Sequence, residues 1–195
     1  MSRIIFRRGH IAVSLCIVEQ SDARAACIAM NDPDITQYLA RWMPISLQEE
    51  EEVLAGLNKS DKNFVFGIML NNTEALIGTM GLHAINWKDG TAKTGSVIWD
   101  KTAYSKGYGT EAKMLLLDFA FNTLGLRCIL SPVFAFNERS IAYARKCGYE
   151  EVGRLPQWIR AKDGTFVDEV HLIVTADRWR PRWEQYLATR MTEVA

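Results

Sequence analysis

Apolar and polar positions along the chain switch between a period of two and a period near 3.6, which predicts strands alternating with helices. His10 to Val18 alternates as a strand does, and Ser21-Asp22 is placed to cap a helix running to about Met30, where Asn31-Asp32-Pro33 breaks it. A second helix, about Leu47 to Leu57, opens on the acidic run Glu49 to Glu52, which suits the positive end of a helix dipole. Phe64 to Leu70, Ala75 to Trp87 and about Lys93 to Trp99 read as antiparallel strands, joined at Asn71-Asn72 and at the hairpin loop Lys88-Asp89-Gly90. Ala112, Leu115, Leu116, Phe119 and Ala120 then recur at helical spacing, with Gly125 as the C-terminal cap. Arg127 to Phe134 is continuously apolar, the pattern of a central strand. Asn137 caps a helix over Ser140 to Lys146 that Gly148 closes. Strands at about Tyr149 to Arg160 and Thr165 to Val174 flank the turn Lys162-Asp163-Gly164, and the tail from Asp177 to Thr189 is helical and outside the sheet. The order β-α-α-β-β-β-α-β-α-β-β predicts an α/β (α+β) fold, with a mixed, mostly antiparallel sheet of about seven strands flanked by helices.

At about 150 residues per domain, 195 residues make one domain over 1–195, with a core at about 10–175 and a helical tail at 176–195. The composition, 48% hydrophobic and 24% charged, is that of a soluble globular protein. Twenty-three basic and 23 acidic side chains leave no net charge, which argues against a general nucleic-acid binder; Arg7-Arg8 and Arg178 to Arg182 read as solvated surface, with local docking points as the alternative. No apolar run approaches the ~20 residues of a membrane span, so no membrane partner is expected. Ile11 to Val18 is interrupted by Ser14 and no small-residue cleavage site follows, unlike a signal peptide. Cys16, Cys27, Cys128 and Cys147 are far apart and lack histidines at metal-ligand spacing. They predict reduced thiols in the cytoplasm and no metal.

The segment Trp99 to Ala112, WDKTAYSKGYGTEA, runs from a strand end through Gly107 and Gly109 straight into a long helix. Unpaired amides at a helix start carry positive partial charge, and glycines let an anion approach them. Lys106 adds a cation and Thr110 a hydroxyl. The segment is neither G-x-x-x-x-G-K-[ST] nor G-x-G-x-x-G, because the residue three beyond Gly109 is Ala112. On its own it reads equally as a diphosphate cradle or as a glycine-softened loop before a core helix.

One strand downstream, Asn137-Glu138-Arg139-Ser140 opens a helix ending in Lys146-Cys147-Gly148-Tyr149. With Ile77-Gly78, GLHAINW, SKGYGTEA, LLLDFAF, LGLRCIL and NERSIAYARKCGYEEVGR in this order, the chain resembles the GCN5-related N-acetyltransferase (GNAT) superfamily over about Val13 to Val174. Within it, the chain is most similar to the ribosomal-protein N-terminal acetyltransferase (RimJ/RimL-type) branch. The resemblance implies acetyl-CoA as co-substrate and an amine acceptor, either a protein N-terminal α-amine or a small molecule. It implies a pantetheine arm between splayed strands, paired with the backbone of Val97, Ile98 and Trp99. The diphosphate would rest on Lys106, Gly107, Tyr108, Gly109 and Thr110, with Asn137, Ser140, Tyr143 and Lys146 facing the cofactor. A homodimer is among the expected partners.

The chain departs from the family pattern in several places. Tyr104 and Ser105 stand where the family loop often has a basic or amide residue and a glycine. Ala144 replaces a frequent tyrosine acid, Thr94 a frequent strand glutamate, and Ile159 the glutamate base of some relatives. These losses leave open a rival function, a non-catalytic acyl-CoA-binding regulator.

Acetyl transfer needs a neutral amine, a polarised thioester carbonyl and protonation of the departing thiolate. One backbone N–H of the splayed strand would serve as an oxyanion donor, worth about 3 kcal/mol in analogous sites. Ser140 is the acid that the resemblance suggests, and a first-turn helix hydroxyl is its other reading. The bases on offer are His83, Asp168, Glu169 and His171. His83 has the right chemistry, yet its face also carries Ile77, Thr79, Gly81 and Ile85, so a half-buried structural histidine is the alternative. Asp168 reads as either an amine anchor or fold support, His171 as structural, and ordered water could replace any base. Trp42, Met43, Glu49 to Glu52, Trp158 and Arg160 are candidates to line the acceptor site. The glutamates would attract a cationic acceptor or simply form a solvated helix start.

Overall fold

The computed structural model describes residues 3–8, 11–41 and 43–192, so His10 and Trp42 lie outside the described residues. Local hydrogen bonds build some of the helix starts, although Asp22, expected as a cap, makes no side-chain bond to its helix. Asp22 precedes α1 (Ala23–Asn31), and Asp32 caps the short α2 (Pro33–Thr36) by accepting from the Asp34 amide at 2.9 Å. In α3 (Leu47–Gly56), Ser46 and Glu49 form a reciprocal capping box, so the acidic run is indeed a helix start. Left-handed Gly107 precedes α4 (Tyr108–Asp118), and Asn137 caps α5 (Glu138–Lys146) by accepting from the Ser140 amide at 3.1 Å.

The strands are β1 (Ile4–Phe6), β2 (Val13–Cys16), β3 (Phe64–Leu70), β4 (Leu76–Asn86), β5 (Thr91–Ile98), β6 (Cys128–Phe134), β7 (Glu150–Arg160) and β8 (Phe166–Thr175). They form one mixed sheet in the order β1-β2-β3-β4-β5-β6-β8-β7, antiparallel at every junction except the parallel β5–β6 pair. The sheet therefore has eight strands among the described residues where the periodicity predicts about seven. The addition is β1, whose three residues are too few to show alternation.

Phe64, Phe66, Ile68 and Leu70 alternate onto one face of β3 and join the main core with Leu115, Leu116, Ile141 and Trp179 from the helices on that side. The opposite face carries Cys16 and Val18, and there Val18 packs with Ala23 and Leu54 of α1 and α3. Helix α6 (Ala176–Thr192) lies outside the sheet as expected, yet its Trp179 and Trp183 belong to the main core. Helix α4 is buried on all sides, including three charged residues. Glu111 accepts from the Ala12 amide and the Tyr186 hydroxyl, and Asp118 pairs with Arg8 at 2.8 Å. The third is Lys113.

Candidate active site

β5 and β6 pair over three residues only, Thr91 to Lys93 against Cys128 to Leu130. Beyond them β5 continues to Ile98 along β4 and β6 continues to Phe134 along β8, so the two strands part. The edge of Val97 and Ile98 opens on this gap, with half-buried Trp99 just beyond. Close packing behind the edge fixes it in place. A Cβ on Gly78 would lie 2.2 Å from the Val97 carbonyl oxygen, so only glycine lets β4 approach β5 here.

At the open end of the gap, the chain turns through exposed Ser105, Lys106 and Gly107 into α4. Gly107 has φ +85° and no side-chain cap serves this helix, so its first amides, at Tyr108, Gly109 and Thr110, face outward without a capping oxygen. Space around Gly107 is open, and a Cβ on Gly109 would meet Ile98 Cδ1 at 3.2 Å. A cradle kept free of side chains at the positive end of an eleven-residue helix fits a diphosphate. Lys101 holds the loop in place by bridging Asp32 and Asp34 of the α2 start at 3.0 and 2.7 Å.

Helix α5 forms the second wall. Its Tyr143 hydroxyl shares a hydrogen bond with Ser96 Oγ of β5 at 2.8 Å, and Cys147 Sγ lies 3.8 Å from the Thr110 carbonyl. Asn137, Ser140 and Tyr143 are half-buried, and Lys146 is exposed at the far end of the helix. Two residues outside the expected cofactor set also meet here. Tyr104 donates to the Ile98 carbonyl at 3.0 Å, and the Arg139 guanidinium lies 4.3 Å from its ring centroid. The cation missing from the loop at Tyr104 is thus present, supplied from α5. Its signal was the Arg within N-E-R-S.

The base candidates separate. His83 Nε2 sits where a Cβ on Gly81 or Gly95 would come within 3.1 or 3.4 Å. The ring thus occupies a glycine shelf on the face opposite Ser96 and Tyr143. Burial, and then the charge of Lys113, lower its pKa from 6.5, which favours the neutral imidazole. Asp168 instead accepts from the Gln157 amide at 2.9 Å, bracing the β7 bulge where Gln157 has φ +50°. Glu169 and His171 are bonded to each other at 2.6 Å.

A groove beside Phe134, at the free end of β6, is lined by Arg41, Trp158, Arg160 and Lys162, bringing two expected acceptor-site residues together. Met43 is not among its lining residues, and Glu49 is engaged in the α3 capping box. Among the described residues, no group of His, Cys, Asp and Glu could hold a metal ion, and no helix is long and apolar enough to cross a membrane.

The acetyltransferase (GNAT) domain family matches residues 15–150. The chain is 26% identical over 154 residues to the uncharacterized N-acetyltransferase p20 of Bacillus licheniformis, covering 77% of this chain and 85% of that one. It is 26% identical over 160 residues to the uncharacterized N-acetyltransferase YoaA of Bacillus subtilis, with 80% and 90% covered. Its fold is similar to that of spermidine N-acetyltransferase from Vibrio cholerae, solved with CoA and spermine. That comparison gives a TM-score of 0.79 at 22% identity, covering 86% of this chain and 98% of the other. With the matched span running through the parted strands, the α4 loop and the capped α5, the chain belongs to the GNAT family and is an acetyl-CoA-dependent N-acetyltransferase.

Proposed function

We propose that acetyl-CoA lies in the β5–β6 gap and that a primary amine reaches it from the groove beside Phe134. The supporting observation is the parting of β5 and β6 directly over the uncapped start of α4. Val97, Ile98 and Trp99 present backbone groups to the pantetheine arm. Lys106, Gly107, Tyr108, Gly109 and Thr110 hold the diphosphate, joined by Arg139. Asn137, Ser140, Tyr143 and Lys146 line the α5 side. Ser140 protonates the sulfur, and His83 takes the proton from the amine. Residues 1–195 form one such domain, and the four free thiols fit the cytoplasm.

The acceptor follows from charge. Arg41, Arg160 and Lys162 line the groove, so it favours an amine whose neighbouring groups are neutral or anionic and disfavours a polyamine. A protein N-terminus, as in the RimJ/RimL-type branch, and an amino-acid-like small molecule both meet this. The test is an acceptor panel read by mass for one added acetyl group: acidic and neutral N-terminal peptides, amino-acid amides, and spermidine. Acetylation of the first two classes well above spermidine supports the reading, and spermidine as the best acceptor contradicts it. We also propose a homodimer along the edge strand β7, where Val152 and Trp158 are 53% and 67% exposed. Light scattering giving a monomer mass at micromolar concentration would refute it.

A further inference from the structure

Lys113 is 1% exposed, and its Nζ has no hydrogen-bond partner among the described residues. Lysine is almost never buried this deeply unless paired, because an unpaired buried ammonium is costly. The other two buried charges of α4 are satisfied, Glu111 by Ala12 and Tyr186 and Asp118 by Arg8. Lys113 instead lies over two rings, with Nζ 5.7 Å from the Tyr143 centroid and 5.9 Å from that of Tyr149. Such contacts attract a cation but do not neutralise it.

Among the described residues, no carboxylate forms an ion pair with Lys113. Burial keeps the Tyr149 phenol protonated and pushes the Cys147 thiol up to about 12, and it lowers His83 on β4. Beyond Cys147, Arg182 and Lys146 add only positive charge. Tyr143, over which Nζ sits, reaches Ser96 where β5 has parted from β6, and Tyr149 approaches Thr94 at 3.4 Å where the gap begins. The unneutralised ammonium therefore stands behind the closed end of the gap.

We propose that Lys113 is a positioning residue whose fixed positive charge, acting past Tyr143, favours the thiolate form of coenzyme A in the gap. This rests on the acetyl-CoA reading of the gap. In the transfer, the acceptor nitrogen forms the C–N bond while the C–S bond breaks and its electron pair stays on sulfur. The proton shed by nitrogen leaves through the base, one proton returns to sulfur as coenzyme A departs, and Lys113 exchanges none. At an effective dielectric of about 20, a charge several ångströms away changes a thiol's ionisation by about tenfold or more.

The test is calorimetric binding of CoA and of desulfo-CoA, which lacks the thiol, in two buffers of different ionisation enthalpy near pH 7.5. The wild type is expected to release protons on binding CoA and none on binding desulfo-CoA. Lys113→Met should lose that release, and Lys113→Arg should keep part of it. A merely structural lysine would give no thiol-dependent proton release, and that result in the wild type overturns the proposal without any variant. If neither ligand binds, the cofactor reading fails and this proposal falls with it. If both bind without the difference, only the role of Lys113 fails.

Discussion

The Lys113 charge bears on His83, and removing that charge tests the interaction. Burial is the main cause of the lowered His83 pKa and the Lys113 charge the second. Removing that charge in Lys113→Met should raise the His83 midpoint, followed by NMR of its ring protons; an unmoved midpoint would show that the two do not interact. The same shift links to stability. A histidine with a lowered folded pKa binds its proton more readily when unfolded, so stability is full above the ordinary value of 6.5 and declines as the pH falls through it. His83→Gln should flatten that decline in thermal melts. If His83 is the base, the variant should also lose on the order of 100-fold in kcat/KM. For Ser140→Ala, slower turnover with near-normal acetyl-CoA affinity is expected, and a wild-type rate removes Ser140 from the chemistry.

The elements around the gap depend on two glycines for different reasons. Gly107→Val places a β-branched side chain at φ +85°, a conformation costing about 1–2 kcal/mol for an L-residue, and fills the cradle. It should weaken CoA binding at least tenfold by calorimetry while lowering the melting temperature modestly. Gly78→Ala, whose new Cβ would strike the Val97 carbonyl, should weaken binding by displacing β5 itself. Both glycines belong to the strings on which the family likeness rests, and the loop and the Asn137 cap were legible because turns and caps are local. Lys113 was not. It lies on a helix buried on every side, where no polar face marks a charged residue as out of place, and its solitude depends on β5 and α5, which are remote in sequence. The groove was half legible. Trp158 and Arg160 lie on the predicted β7, but Arg41 and Lys162 join them only through tertiary packing.

At the scale of the whole molecule, the expected tail is part of what holds the sheet together. Trp179 is fully buried against Phe121 and stacks on Trp183. Trp179→Ala should cost about 3–5 kcal/mol, lowering the melting midpoint by on the order of 10 °C, whereas a peripheral tail would leave it unchanged. The balanced total charge conceals a local asymmetry, three cations around the groove and an unneutralised one behind the gap. That asymmetry only has meaning if the donor thioester lies between them. A crystal structure of the protein with acetyl-CoA tests this most directly. The account predicts the diphosphate on the amides of residues 108–110, the arm along Val97 to Trp99, and sulfur at the Tyr143 end of the gap. Acetyl-CoA bound elsewhere, with an ordered and empty α4 loop, would contradict it.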